Sequence, residues 1–247
     1  SALGGYAATA ITAITVQNTL GVQAVHPVPA ELVGEQMQAV MEDLRPDAIK
    51  IGMTGNVEII SEIARLLHQY SPRQVVLDPV MVSTSGHNLM TDEAVEAICT
   101  LLLPEVSLVT PNLHEAAVLL QQPIHTVDDM EYAAHLVYEK YHCACLVKGG
   151  HLTGNEMCDV LYDGHELHLF GARRIHSGNL HGTGCTLSSA IATFLAQGFP
   201  LYEAVELAKT YITKAIEAGK DLHIGQGNGP LCHFPYLVNP VNPLTEE

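Results

Sequence analysis

Short apolar runs rich in β-branched residues alternate along this chain with longer segments whose apolar residues recur at helical spacing. Residues 75–82 (VVLDPVMV) are apolar around one acid, as in a central strand that ends at a functional loop. Helical spacing is clear in residues 31–44 and 57–70. Because strands that alternate with helices of about ten or more residues form parallel sheets covered on both faces, we predict a three-layer α/β/α fold with a mostly parallel central sheet.

Two uncharged stretches near the start of the chain are also strand-like. Residues 9–16 (TAITAITV) are rich in β-branched side chains, and residues 22–26 follow a turn at Gly21, so both suit buried strands. No linker, repeat or low-complexity stretch is apparent, and residues 1–247 are expected to form a single domain. Ligands of such sheets bind beyond the carboxyl ends of the strands. The corresponding loops follow Val16, Met53, Val82, Thr110, Lys148 and Ile175.

The charge balance restricts which partners the chain can bind. Its 247 residues are 47% apolar and 15% charged, with 11 Lys and Arg against 27 Asp and Glu, giving a net charge of −16. A disordered acidic tail would be far less apolar. A surface this acidic repels polyanions, which disfavours general nucleic-acid binding. Any phosphate group that binds must therefore be held locally by a few groups.

Cysteine use and the first thirty residues bear on the compartment. Six cysteines in a chain of this length do not form a disulfide framework and predict reduced thiols. Cys143 and Cys145 form C-x-C, but no second pair stands at zinc spacing, so strand-packing thiols are favoured over a metal site. Residues 1–30 contain no run of about 18 apolar residues and no basic start, which predicts neither a membrane span nor a signal peptide. We expect a cytoplasmic protein.

The sharpest local signal is residues 181–186 (HGTGCT), which precede an apolar helix of small residues. Gly182 and Gly184 let the backbone turn tightly, so the free N–H groups of the first helical turn point at one spot, backed by the helix dipole. This predicts an anion cradle, with an ordinary glycine-containing helix start as the alternative. Cys185 favours the functional interpretation, because the same dipole favours a thiolate and makes the thiol a candidate base or nucleophile.

This motif and segments elsewhere in the chain are similar to a known kinase family. G-T-G-C-T at the start of the penultimate long helix, preceded by V-K-G-G-H at residues 147–151, resembles the ribokinase-like small-molecule kinases. Within them it resembles the hydroxymethylpyrimidine/phosphomethylpyrimidine kinases of thiamine biosynthesis. Further segments match in the family's order over essentially the whole chain: AITAITVQNT (10–19), KIGM (50–53), LDPVMV (77–82), TSG (84–86) and TPNLHEA (110–116).

The resemblance implies how the phosphates are held. Gly182, Thr183, Gly184 and Cys185 would bind the γ-phosphoryl group through backbone N–H groups as negative charge builds during transfer. Cys185 occupies the family's catalytic position, where many related sugar kinases carry Asp. Its thiolate would accept or orient the proton of the substrate hydroxyl as that oxygen attacks.

Further polar residues are implied to serve the metal and the nucleotide. Asn112 and Glu115 form the N-x-x-E pattern, which in the family helps to place Mg²⁺ through its water shell. Taken alone, the pattern is more typical of an acidic turn at a helix start. Asp78 ends a strand and is implied to face the metal and phosphates, since a buried acid needs a cation or a donor. Lys148 resembles the family's lysine near the nucleotide phosphates, although an isolated Lys is more often solvated.

On the substrate side, the resemblance implies a pyrimidine pocket. Gln17 has an amide donor and acceptor that match the edge of an aminopyrimidine ring. Met53 and Val80 match apolar walls of this pocket, with core packing as an equal alternative. Val205 and Ala208, in the last helix, fall near the expected position of the adenine.

The implied activity is that of an ATP-dependent kinase that uses Mg²⁺ and phosphorylates 4-amino-5-hydroxymethyl-2-methylpyrimidine and then its monophosphate, as a homodimer. The nearest alternative is the same chemistry on pyridoxal or pyridoxine. An alternative of another class is a non-catalytic pyrimidine-binding protein, against which the intact 182–185 loop argues. The family's first strand and glycine-rich turn are expected before Ser1. We assign His151 and His181 no chemistry, because the fourteen histidines show no metal-ligand spacing.

Overall fold

The computed structural model describes residues 1–81, 90–150 and 156–236 of the chain. Val82, the T-S-G segment at 84–86 and His151, which the sequence analysis singled out, lie outside the described residues. The strands are β1 (Ala13–Asn18), β2 (Gly21–Pro27), β3 (Ile49–Ile51), β4 (Val75–Leu77), β5 (Leu108–Val109), β6 (Ala144–Val147), β7 (Glu156–Tyr162) and β8 (Leu167–Arg173).

The helices follow the predicted apolar spacing. They are α1 (Ala30–Asp43), α2 (Val57–Tyr70), α3 (Asp92–Ala97), α4 (Leu113–Leu120), α5 (Val127–Tyr141), α6 (Thr183–Ala196) and α7 (Leu201–Gly219). In α2, the Asn56 side chain caps the first turn by accepting from the Ile59 N–H at 2.9 Å. The helix ends at Ser71, which has the left-handed backbone conformation common after a last turn.

Six of the strands form one sheet in the order β3-β4-β5-β6-β7-β8. The first four run parallel to one another, whereas β7 and β8 are antiparallel additions joined by a turn at Asp163-Gly164. One face packs against α1 to α5 and the other against α6 and α7. The predicted three-layer arrangement with a mostly parallel sheet is confirmed, and the carboxyl ends of β3, β4, β5 and β6 share one edge.

The two uncharged stretches near the start of the chain do not join this sheet. Within the described part of the chain, β1 and β2 pair only with each other, as an antiparallel hairpin. Ile14 is 62% exposed and Val16 45% exposed, so the prediction of buried strands is wrong. β-Branched residues favour an extended backbone, but burial depends on what covers the strand, and the short connection at residues 19–20 instead closes a hairpin.

The last helix contributes to the core layer that it shares with α6. Val205 and Ala208 are fully buried there, and their position near the adenine stays a prediction. Small and apolar side chains on the sheet-facing side of α7 let it lie close to α6. Within the ranges that the structure describes, no helix has the length and apolarity to cross a membrane.

Candidate active site

The N-terminus of α6 presents free backbone donors. Gly182 precedes the helix with φ of +82°, a left-handed conformation that favours glycine, and its carbonyl accepts from the Thr186 N–H at 2.8 Å. The Thr183 N–H and hydroxyl both donate to the Leu180 carbonyl, so the Thr183 N–H is not available to an anion, contrary to the prediction. Across the described residues, the N–H groups of Gly184 and Cys185 have no acceptor. These two donors and the helix dipole form a site suited to an anion.

A buried ion pair lies directly beside this helix terminus. Lys148 follows β6 and Asp78 follows β4, and the Lys148 Nζ is 2.6 Å from the Asp78 Oδ1. A Cβ added to Gly184 would lie 3.3 Å from the Lys148 Nζ and 3.7 Å from the Asp78 Oδ2. The sheet edge and the helix N-terminus therefore bring a cation, a carboxylate and two free N–H groups to one place.

The charges of this pair support each other. Burial alone would raise the pKa of Asp78, but the adjacent Lys148 ammonium outweighs burial and lowers it. Burial likewise opposes the charge of Lys148, yet the carboxylates of Asp78 and Glu115 raise its pKa. Both groups are thus ionised at neutral pH.

Asn112 and Glu115 form a helix capping box at the start of α4. The Glu115 N–H donates to the Asn112 Oδ1 at 3.0 Å, and the Asn112 N–H donates to the Glu115 Oε2 at 2.8 Å. The pattern is therefore an acidic turn at a helix start, as its structural interpretation predicted. This turn holds the Glu115 carboxylate toward the sheet edge, 4.0 Å from the Lys148 Nζ. Burial, opposed by the Lys148 charge, raises the pKa of Glu115.

Asp78 and Glu115 are better placed to bind a divalent cation through its water shell than to ligate it directly. Within residues 1–81, 90–150 and 156–236, no cluster of three His, Cys, Asp or Glu side chains forms a cage for a metal. Asp78 and Glu115 converge on one Lys148, which leaves a net charge of −1 among three groups. Oxygen donors with room for water are the chemistry that Mg²⁺ prefers.

Cys185 faces a concave surface. The residue is exposed to the cavity, although protein surrounds it on the other sides. Burial raises the pKa of its thiol, the Lys50 charge lowers it, and the Asp78 charge and a hydrogen bond to Asp78 raise it further. The net pKa is raised, so the thiol is protonated at neutral pH. The helix dipole does not produce the resting thiolate that the sequence favoured.

The predicted substrate residues surround one cavity of about 900 Å³. Gln17, Met53 and Val80 line it together with Gly182 and Cys185, although they come from widely separated segments. The fold thus brings the predicted substrate residues to one cavity.

Two further residues line this cavity that sequence reasoning had passed over. The His181 Nε2 lies 3.3 Å from the Gln17 Nε2, and Lys50 projects from β3 into the same space. Their signals were present but weak: His181 directly precedes the glycine turn, and Lys50 stands two residues before Gly52 in the K-I-G-M segment.

A second cavity, of about 1000 Å³, lies between β8 and α7. Basic residues outnumber acidic ones in its lining, which contains Glu206 and Glu217 and five of the eleven Lys and Arg residues: Arg173, Arg174, Lys209, Lys214 and Lys220. Part of this positive charge is compensated, since Lys209 pairs with Asp159 and Lys220 with Glu217. Arg174 donates to the Gly150 carbonyl at 3.3 Å, which ties this cavity to the loop that carries Lys148.

Comparison with known proteins identifies the family. The model of the phosphomethylpyrimidine kinase family matches residues 1–232. The chain belongs to this family. The hydroxymethylpyrimidine/phosphomethylpyrimidine kinase of Rhizobium meliloti (strain 1021) is 51% identical over 236 residues, which cover 95% of this chain and 88% of that protein. The crystal structure of phosphomethylpyrimidine kinase from Clostridium difficile 630 is 41% identical, with a TM-score of 0.78 over 87% of this chain and 88% of that chain.

The pyridoxal kinase from Staphylococcus aureus, solved in complex with AMP-PCP and pyridoxal, shares the fold as well. It is 30% identical, with a TM-score of 0.86 over 96% of this chain and 86% of that chain. Fold similarity therefore does not separate the two activities, whereas sequence identity is higher to the pyrimidine kinases. The predicted family, ribokinase-like fold and phosphotransferase class are confirmed, and a kinase of this family uses ATP and a small-molecule substrate.

Proposed function

We propose that this kinase transfers the γ-phosphoryl group of ATP to the hydroxymethyl oxygen of 4-amino-5-hydroxymethyl-2-methylpyrimidine. A second transfer to the resulting monophosphate gives the diphosphate for thiamine biosynthesis. One observation carries the proposal: Cys185 and Gly182, at the anion-binding helix start, line the same cavity as Gln17 and Met53. A ring bound by Gln17 would therefore present its hydroxymethyl group to a phosphoryl group bound at α6.

The phosphates of ATP are assigned to the sheet edge. The N–H groups of Gly184 and Cys185 and the Lys148 ammonium would hold the γ-phosphoryl group and stabilise the charge that develops on it. The basic cavity between β8 and α7 is assigned to the rest of the nucleotide, because it adjoins the Lys148 loop and concentrates positive charge in a chain of net charge −16.

Magnesium is assigned to the carboxylates of Asp78 and Glu115, through water. When bound there, Mg²⁺ would neutralise phosphate oxygens and favour in-line transfer. The Lys148 charge favours the ionised form of both carboxylates, and the capping box with Asn112 fixes the position of Glu115.

Cys185 is assigned as the general base. It acts through its thiolate fraction, taking the hydroxyl proton as the acceptor oxygen attacks phosphorus. Because its pKa is raised, that fraction is small at neutral pH, and Lys50 is the largest of the influences that lower the pKa. The mechanism therefore carries a measurable pH dependence.

Ring recognition is assigned to the Gln17 amide. With the Gln17 Nε2 donating to the His181 Nε2, the amide carbonyl oxygen stays available to accept from the 4-amino group of the pyrimidine. Met53 and Val80 then supply apolar walls. His181 is a positioning residue in this scheme, since it fixes the direction of the amide.

A coupled ADP-release assay with separate pyrimidine and pyridoxal substrates tests the assignment. We expect a higher kcat/KM for the hydroxymethylpyrimidine than for pyridoxal. The pyridoxal alternative stands on the structural similarity to the Staphylococcus aureus enzyme, and a preference for pyridoxal would establish it instead. Ligand binding without ADP release from either substrate would support a non-catalytic binding protein.

A second copy of this chain is the proposed assembly partner, and residues 1–247 are proposed to be one kinase domain. The β1–β2 hairpin exposes Ile14, Val16, Leu20 and Val25, and an isolated hairpin is marginal in water unless another surface covers it. Sedimentation of the wild type and of Val16→Asp tests the dimer: we expect the variant alone to be monomeric. The six free cysteines support a cytoplasmic location.

A further inference from the structure

Lys50 brings a cation to the substrate cavity, and it comes from a different strand than Lys148. In the parallel register of β3 and β4, Lys50 stands opposite Val76. Directly opposed residues on neighbouring strands share a face of the sheet. Val76 packs with Leu187 beneath α6, so the Lys50 side chain leaves the sheet on the α6 side. Its neighbour Ile51 points into the core on the other face.

Gly52 allows the Lys50 ammonium to reach the cavity. A Cβ on Gly52 would lie only 2.6 Å from the Lys50 Nζ, so the ammonium occupies the space of a side chain two residues further along the strand. Residues i and i+2 share a face, and the lysine stem therefore runs along the strand past its end. There Lys50 lines the cavity beside Met53 and Cys185.

Lys50 differs from Lys148 in having no carboxylate within ion-pair distance among the described residues, although its charge acts on Asp78 and Cys185 from further away. Lys148 is 2.6 Å from Asp78 and 4.0 Å from Glu115. Lys50 makes no hydrogen bond or ion pair with any residue in the described part of the chain, although it is half-buried. A partly buried charge without a partner is unfavourable, so this position favours an anionic ligand. The alcohol substrate is neutral, whereas its monophosphate carries a charge of about −1.5 to −2 at pH 7.

We propose that Lys50 binds the phosphoryl group of the monophosphate acceptor and so determines the specificity of the second phosphorylation. This inference rests on the proposed two-step function. In that step an oxygen of the acceptor phosphate forms a bond to the γ-phosphorus, the bond to the β,γ-bridging oxygen breaks, and ADP leaves with the electron pair. Two anions must therefore meet. Lys148 and α6 serve the donor, and Lys50 neutralises the acceptor from the ring side.

The variant Lys50→Met tests this role, because it keeps the apolar stem and removes the charge. Calorimetric titration without ATP gives the Kd of the pyrimidine monophosphate and of the alcohol, and product analysis follows each phosphorylation separately. We expect the Kd of the monophosphate and the KM of the second step to rise about 10- to 100-fold, with the Kd of the alcohol and the KM of the first step changed less than about twofold. Because the Lys50 charge also lowers the pKa of Cys185, the kcat of both steps should fall alike at neutral pH. Lys140→Met, on the exposed side of α5, is the matched control and should change neither step.

Two further variants separate charge from structure. Lys50→Arg should retain most monophosphate binding, whereas Gly52→Ala, which displaces the ammonium without removing it, should weaken that binding. Unchanged monophosphate affinity in Lys50→Met, or an equal loss of affinity for the alcohol, would overturn the proposal, since an equal loss would place Lys50 against the ring and not against the acceptor phosphate. If the wild type phosphorylates neither the pyrimidine alcohol nor its monophosphate, the proposed function is wrong. The calorimetric titrations of these two ligands without ATP still decide the role of Lys50.

Discussion

The Lys148 Nζ lies 2.6 Å from the Asp78 Oδ1, although 70 residues separate them along the chain. The two residues follow β6 and β4, which flank β5 in the parallel sheet. Parallel strands end at the same edge, so the topology alone brings both side chains to one point. Both are nearly excluded from solvent, with 14% and 2% of their side chains exposed. This pair is the electrostatic centre of the proposed site.

Removing the cation from this pair should destabilise the protein. In Lys148→Met, Asp78 stays buried without its partner, and we expect unfolding to become easier by about 3–5 kcal/mol, with loss of phosphoryl transfer. Urea-induced unfolding at neutral pH measures the first effect, and ADP release measures the second.

The double variant Lys148→Met/Asp78→Asn controls for the unpaired charge. It should recover much of the lost stability, because the buried Asp78 charge is removed together with its partner, but none of the activity. A single variant as stable as the wild type would show that the pair contributes nothing to the folded state.

Removing the charge of Glu115 should stabilise the protein but impair its activity, whereas removing the Lys148 charge should lower both. Burial raises the folded pKa of Glu115, so folding disfavours its ionised form. Its contribution to stability is full below the unfolded pKa and is lost as pH rises through the folded pKa. Glu115→Gln keeps a capping-box acceptor and removes the charge. We expect a gain on the order of 1 kcal/mol at pH 7, little gain at acidic pH, and a higher Mg²⁺ requirement. Thermal unfolding at both pH values and a Mg²⁺ titration of activity measure these effects.

Asp129 provides a matched control for Glu115, since it occupies the same position in the capping box of α5. Backbone hydrogen bonds from His125 and Thr126 lower its pKa. Its carboxylate therefore stabilises the fold above the unfolded pKa, and this stabilisation is lost as pH falls through the folded pKa. Asp129→Asn should lower the Tm at pH 7 and leave activity unchanged. If Glu115→Gln and Asp129→Asn both destabilise the protein, the conclusion that the buried Glu115 charge is unfavourable is wrong.

The parts of the fold that depend on local pattern were predictable from the sequence. The HGTGCT segment starts a helix because Gly182 can adopt a positive φ and the following residues are apolar and small. The strand around Asp78 was equally clear. By contrast, the residues 9–16 have the composition of a buried strand, yet Ile14 and Val16 are exposed, because nothing in a local pattern says which surface will cover a strand.

The sequence singled out residues that the fold places around one cavity, but it did not indicate which of their side chains contact one another. Asn112 was expected to serve a metal, but its side-chain oxygen caps α4, a local interaction that the same pattern also encodes. The contact between Gln17 and His181 joins residues 164 positions apart, and only the tertiary fold creates it. The raised pKa of Cys185 likewise arises from burial and Asp78, neither of which can be read from the helix start.

The rate should depend on the ionisation of Cys185. Its pKa is raised, so the thiolate fraction grows as pH rises from neutrality, and we expect kcat/KM for the pyrimidine alcohol to increase through the alkaline range. Cys185→Ala should lower kcat by about 10²- to 10⁴-fold and flatten that rise. Initial rates of ADP release between about pH 6 and 10 measure both, across the ordinary pKa of a thiol.

Cys185→Asp distinguishes a missing base from a damaged helix start. A carboxylate ionises well below neutral pH, so a variant that retains turnover should have a flat profile where the wild type rises. If Cys185→Ala keeps the wild-type rate and pH profile, Cys185 is not the base.

Gln17 should govern ring recognition without affecting the chemical step. Gln17→Leu removes the amide and leaves the His181 ring without this partner, so we expect KM for the pyrimidine to rise about 10- to 100-fold with a smaller change in kcat. Gln23→Leu, at an exposed position on β2 of the same hairpin, is the control and should behave as wild type. Equal effects of the two substitutions would attribute the loss to the hairpin and not to the amide.

Gly184→Ala should separate catalysis from stability most cleanly. Alanine is favoured over glycine in a helix by up to about 1 kcal/mol, so the Tm should be unchanged or higher. The added Cβ, however, would lie 3.3 Å from the Lys148 Nζ and beside a free N–H, in the space assigned to the γ-phosphoryl group. We expect kcat/KM for ATP to fall about 100-fold or more, as when an oxyanion donor is removed. Gly178→Ala, where a Cβ meets open space, should retain full activity. A fully active Gly184→Ala variant would place the phosphoryl group away from the α6 N-terminus.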